Sequence, residues 1–359
     1  MNTLIRIYNN FLLPTALLSG LIIGAGVFTL PYVFERSGFS LGLLYLFIFG
    51  SCAILIHLMY AEVIIKTKER HRLLGYARLY LGEKGFWAAL FLNILGNILV
   101  LGVFLILSIS FFNLIAPWSL GFKMLIVWAF GSFFILTSSR VLAEMELVLN
   151  DALLLGALTI FLLVVNRSFF VFHELRGFDL GALWVPFGPV LFSLLGLQAI
   201  PLLVDYFRDA KKGGRNHSVW IKRSIVWGTS IPLFIYILFV VAIMISSDTV
   251  SEDAVSGLLN GVSVPVLFIF GLFGLLNLRS SYTIVGRDLR DSFIYDLKWK
   301  EGAADYAVLF LPLIVYTIFK DSLLGLVSFV GDVIVMGYLV LVVLIWFRVR
   351  EKNPQPIFS

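Results

Sequence analysis

Apolar residues run along this chain in long continuous stretches, broken by short polar segments. A helix needs about 20 such residues to cross a bilayer. On that rule the pattern predicts ten spans, at roughly 11–34, 39–65, 86–115, 121–138, 146–166, 184–206, 219–246, 262–285, 303–319 and 322–347. Strict alternation of apolar and polar positions, the mark of a membrane barrel, is missing from these runs. The expected class is therefore an all-α integral membrane protein, a single transmembrane domain over 1–359 with the lipid bilayer as its solvent.

Two of the spans are interrupted. Span one reads LLSGLIIGAGVFTLPYVFERSGF, with Gly20, Gly24, Gly26 and Pro31. Span six reads WVPFGPVLFSLLGLQAIPLLVDYF, with Gly196 near its middle and Pro201 beyond it. Gly20 and Gly24 also form a small-xxx-small pair, which alone would mean close helix packing. The positions of the breaks point further. They fall in the first and sixth of ten spans, so each opens a five-span half of inverted topology. Paired interrupted helices at matching places in two halves mark a transporter binding site. Unwound backbone exposes N–H and C=O groups that lipid cannot satisfy, so it must face a cavity or a ligand. A zwitterion matches both kinds: its carboxylate suits a half-helix N-terminus and its ammonium suits free carbonyls.

Composition and charge agree. Sixty per cent of the 359 residues are hydrophobic and 14% are charged, against about 25% charged in soluble domains. The net charge of +5 does not imply nucleic acid, because the basic residues lie in short segments between apolar runs. Twenty-one of the 27 fall on the N-terminal side of the spans and five on the other. The positive-inside bias places both termini in the cytoplasm, with 348–359 as a tail. The segment KTKERHRLLGYARLYLGEKG, 66–85, suits a short helix lying on the inner surface. The single cysteine, Cys52, allows no internal disulfide or cysteine metal site and is expected as a small buried residue. No cofactor or metal is implied.

GLIIGAGVFTLPYVFERSGF resembles the first-helix signature of the amino acid/auxin permease family and of the related bacterial aromatic amino acid permeases. MYAEV (59–63), LFSLLGLQAIPLLVDYFRD (191–209) and LRSSYTIVGRDL (278–289) resemble parts of their second, sixth and eighth helices. The resemblance implies the LeuT-type fold, with two inverted five-helix repeats at about 11–166 and 184–347. It also implies transport of a small-molecule amino acid across the plasma (inner) membrane. Carried over by position, the substrate carboxylate would meet the backbone of Gly24, Ala25 and Gly26. The ammonium would meet carbonyls around Ile22, Phe192 and Ser193. Leu195 and Gly196, with spans three and eight, would recognise the side chain. On span three Asn93 and Asn97 suit either the pocket or interhelical hydrogen bonding; on span eight Phe270 and Phe273 suit either the pocket or lipid.

Neither break carries a charged side chain, which favours a neutral, hydrophobic or aromatic substrate. Sodium-coupled relatives of this fold use hydroxyls on span eight, and Val266 to Asn277 has none. Ser280 and Ser281 are expected too near the inner end to serve. Proton coupling, or none, is therefore expected over sodium coupling. Glu62 is the main intramembrane titratable candidate, with an ion pair to Arg279 or a snorkelling role as its structural alternatives. His57 is the second candidate, or else a hydrogen-bonded core histidine. The chain carries no H-E-x-x-H, no paired-aspartate motif and no nucleophile constellation, so an embedded enzyme is disfavoured. A transporter-like amino acid sensor remains the main alternative.

Overall fold

The computed structural model describes residues 2–136, 179–209, 216–246, 249–254, 256–258 and 264–358. All regular structure there is helical: α1 Asn2–Ile7, α2 Leu13–Ile22, α3 Gly26–Ser37, α4 Phe39–Lys66, α5 Leu73–Leu90, α6 Gly96–Ile115 and α7 Leu120–Leu136, then α8 Phe187–Ser193, α9 Ala199–Asp209, α10 Asn216–Ser246, α11 Val264–Asp291, α12 Glu301–Phe319, α13 Leu323–Phe329 and α14 Met336–Lys352. Helices are what lipid permits, since each backbone group finds its partner within its own segment.

Among the described residues six helical segments are long and apolar enough to cross a bilayer, or seven with the bent pair of span one. Span four is the 17-residue α7, and span six is the broken pair α8 and α9. The expected fifth span, 146–166, lies outside the described residues.

Several boundaries move. Helix runs from Leu73 to Ile115, so span three starts before residue 86. Gly82, at φ 72°, breaks that run and sets 73–81 apart as the short helix expected between spans two and three. Only glycine reaches such a φ at no steric penalty. Gly38, at φ 88°, turns the chain from α3 into α4. The last helix continues to Lys352 rather than ending at 347, and Lys66 Nζ donates to Asn353 O at 2.8 Å, tying the tail to α4. Cys52 is exposed, not buried.

The core lies where the broken spans meet their neighbours. The first half of span one, α2, packs on α10 and its second half, α3, on α8 and α10, while α6 packs on α11 and α12. Phe47, Leu55, Trp87, Phe133, Phe234 and Ile318 stay exposed around the outside, a surface suited to lipid and not to water. The half-helix α8 crosses the π-type turn Val330–Val335 of span ten at bare backbone. A Cβ at Gly331 would sit 1.8 Å from Gly188 O, so no side chain fits there.

Candidate functional site

The break in span one is three residues long. Ile22 ends α2, Gly26 opens α3, and the two halves are bent by 54°. Pro31, expected to help make the break, lies inside α3 instead. In span six, α8 ends at Ser193 and α9 begins at Ala199. The two breaks face each other. A Cβ on Gly26 would lie 2.2 Å from Ser193 Cα, so the backbones touch there. On Gly24 it would lie 2.9 Å from Ser281 Oγ, and on Gly196 it would lie 2.8 Å from Ile22 Cγ1 and 3.0 Å from His57 Cε1.

Side chains from spans seven and eight satisfy the carbonyls that the breaks expose. The Tyr236 hydroxyl donates toward Ile22 O and toward Ser193 O, the latter at 2.7 Å. One proton serves both, so one carbonyl at a time goes without a full bond. Asn277 Nδ2 donates to Ile23 O. Ile22 O also takes Gly24 N at 2.7 Å, and Phe192 O takes Leu195 N at 3.1 Å. The first N–H groups of α3, beginning at Gly26, have no partner within their own helix. The break therefore presents donors at Gly26 and acceptors at Ile22 and Ser193.

The surroundings differ on the two sides of the breaks. Toward the C-terminal end of α3 lies an aromatic layer. Phe28 meets Phe111 at 4.6 Å and Phe239 at 5.7 Å between ring centres, and Phe270 joins both. Phe270 is thus buried among rings and does not face lipid; Phe273 is only partly buried. Toward the N-terminal end of α2 lies a buried polar chain. Gln198 Nε2 donates to Asn97 Oδ1 at 3.0 Å, and Asn97 Nδ2 donates to Asp288 Oδ2 at 3.0 Å. Asn93 Nδ2 donates to Ser292 Oγ at 2.8 Å. Arg72 closes the chain, 2.7 Å from Asp291 and 3.6 Å from Asp288. Burial alone would lower the Arg72 pKa, but Asp291 and Asp288 outweigh it and hold the guanidinium above its ordinary value. Asn93 and Asn97 thus act here as interhelical hydrogen-bonding groups.

Paired breaks, bare-backbone contacts and two dissimilar closing layers describe a transporter core. The profile of the tryptophan/tyrosine permease family matches residues 8–359. The chain belongs to that family. The permease is also similar to glutamine transporter 2 of Aliivibrio fischeri (strain ATCC 700601 / ES114), 20% identical over 95% of this chain and 89% of that protein. Among solved structures it resembles MhsT in complex with L-phenylalanine, with a TM-score of 0.63, 15% identity and 96% of each chain covered. It also resembles Mhp1, a nucleobase-cation-symport-1 family transporter, in a closed conformation with bromovinylhydantoin bound. There the TM-score is 0.61, the identity 12%, and the coverage 89% of this chain and 74% of that one. The likeness shows the LeuT-type fold, and the permease is a multi-pass membrane transporter.

The coupling candidates fall in different places. Glu62 accepts from Lys66 at 2.8 Å, from Trp346 Nε1 at 2.9 Å and from Arg350 at 3.1 Å. Its partners are these and not Arg279, which packs over the Phe134 ring at 4.2 Å. His57 is buried, 3.0 Å from Thr229 Oγ1, and touches the break of span six. Ser281 lies against Gly24, so the expectation that it sits too near the inner end is corrected: α11 enters the core deeply enough to set it beside the break. Sequence reasoning missed Tyr236, Asn277, Gln198 and Arg72. Asn277 and Gln198 carried a usable signal, a side-chain amide within an apolar span. Tyr236 carried none, being one of 13 tyrosines.

Proposed function

We propose that this permease carries neutral amino acids with hydrophobic or aromatic side chains across the plasma (inner) membrane by alternating access. Its repeats would span about 11–166 and 184–347, with both termini in the cytoplasm. The observation that carries the reading is the meeting of two helix breaks at Gly26 and Ser193, where donors of one half-helix face acceptors of two others. The substrate carboxylate takes the N–H groups at Ala25 and Gly26, with Gly24 N, already held by Ile22 O, a weaker donor beside them. Its ammonium takes the carbonyls of Ile22 and Ser193 in place of Tyr236, with Phe192 O a weaker acceptor already held by Leu195 N. Leu195 and Gly196 border the side-chain end, and the Phe28, Phe111, Phe239 and Phe270 layer covers it. Asn97 serves this site through Gln198 rather than by touching substrate. The family description, the glutamine transporter and the MhsT complex with L-phenylalanine all support an amino acid without net side-chain charge.

A proton, or no ion, drives the cycle in this reading. Sodium coupling is the second reading, favoured by one observation: Ser281 Oγ is buried beside the Gly24 break with no hydrogen-bond partner among the described residues. A binding screen of the twenty amino acids with purified protein, with and without sodium, tests both. Saturable binding of tryptophan, tyrosine, phenylalanine or leucine irrespective of sodium is expected. Binding of only charged amino acids would overturn the substrate class, and binding only in sodium would establish the second reading.

A further inference from the structure

Two buried carboxylates share one buried cation in the polar chain beneath the breaks. The Asp288 and Asp291 side chains are 8% and 13% exposed, and that of Arg72 is 8% exposed. Arg72 is spent mainly on Asp291, at 2.7 Å. Among the described residues Asp288 has only the longer contact, 3.6 Å to Arg72 Nε, and one neutral donor, Asn97. Asp205 adds a third carboxylate 3.8 Å from Arg72, but Arg208 also neutralises it, at 3.6 Å. Among the described residues the other groups facing Asp288 bring it no positive charge. Asp296 follows it in the chain, and Tyr60 of α4 and Tyr338 of α14 line a small cavity with it and Gln198. A buried carboxylate short of a counter-ion is disfavoured in its charged form, and adding a proton relieves that.

Asp288 is also connected to the substrate site. Gln198 is the last residue of the unwound segment of span six, and it reaches Asp288 through Asn97 alone. Its Oε1 is buried without a partner among the described residues, so an unsatisfied acceptor sits between the break and the carboxylate. Movement of 194–198 around a bound substrate must pull on Asn97, the neutral side-chain donor to Asp288 among the described residues.

We propose that Asp288 carries the coupling proton of the permease. This rests on reading the chain as an amino acid transporter. A proton from water adds to the carboxylate oxygen facing Arg72 and forms the carboxyl O–H. The contact to Arg72 is released, while Arg72 keeps Asp291 and Asp205. The bridge between spans six and eight loosens, substrate leaves, and the proton returns to water on the side then open.

The test uses full-length protein in liposomes, with an equimolar mixture of labelled leucine, phenylalanine, tyrosine, tryptophan and glutamine. One proton per substrate and a gradient of one pH unit support at most about tenfold accumulation. The wild type should approach that value and lose it with a protonophore. Asp288→Asn should keep exchange of internal for external label and lose accumulation. Asp288→Glu should accumulate with a displaced pH profile. Accumulation by Asp288→Asn would overturn the proposal. So would wild-type exchange that ignores the pH gradient, which leaves the transport reading intact. Loss of exchange in both variants would make Asp288 structural and overturn it equally. Absence of exchange in the wild type would instead defeat the underlying reading.

Discussion

Tyr236→Phe separates a structural role for the two breaks from a binding role. The hydroxyl is fully buried and is the side-chain donor shared by Ile22 O and Ser193 O, 2.7 Å from the latter. Removing it strands an acceptor that water cannot reach, which costs about 1–3 kcal/mol. The ring itself stays, so the packing loss is small. If the substrate ammonium takes these carbonyls, the wild type must give up the tyrosine bond on binding and the variant has none to give up. The variant should therefore unfold more easily without substrate and bind substrate more tightly. A recovered 1–2 kcal/mol corresponds to roughly 5–30-fold in affinity. Thermal unfolding with and without amino acid, alongside binding isotherms, reads both quantities. Weaker binding with unchanged stability would refute the reasoning and place the hydroxyl on the substrate itself.

Glu62→Gln removes the charge that balances Lys66 and Arg350, and should lower stability by about 1.5–3 kcal/mol without abolishing pH-driven accumulation; normal melting with lost accumulation would restore Glu62 as the proton carrier. Gly26→Ala should fail to give folded protein, because its Cβ would stand 2.2 Å from Ser193 Cα. Gly196→Ala should fold, since Ile22 and His57 side chains can yield, yet bind substrate more weakly; wild-type affinity would return Gly196 to packing alone. In a Cys52→Ser background, Glu252→Cys should react with an impermeant external reagent and Lys68→Cys should not, and the reverse would invert the topology.

The long apolar runs and the two breaks were legible because lipid imposes them: spans need length, and unwound backbone needs glycine and a reason. Gly24, Gly26 and Gly196 were found this way, and the structure puts all three at contacts between elements. What satisfies the breaks was not legible. Tyr236 and Asn277 reach Ile22, Ser193 and Ile23 over more than forty positions of chain; the amide of Asn277 stands out in its apolar span, but nothing local marks its partner, and nothing marks Tyr236 at all. Glu62 stood out because it interrupts an apolar run, but beside Lys66 of its own helix its partners Trp346 and Arg350 come from the last helix, where Arg350 read as tail. Asp288 lies just past the predicted end of span eight at 285, and only the structure shows that α11 runs on to Asp291 and keeps it buried.

Counterflow in liposomes tests the central claim, that two facing helix breaks make an amino acid pathway. Vesicles loaded with unlabelled neutral amino acids are diluted into labelled tryptophan, phenylalanine, leucine, tyrosine or glutamine without any ion gradient. A transporter gives a transient accumulation of label, saturable and blocked by excess unlabelled substrate. Saturable binding by the purified protein without any counterflow would contradict the claim and identify a sensor built on a transporter fold.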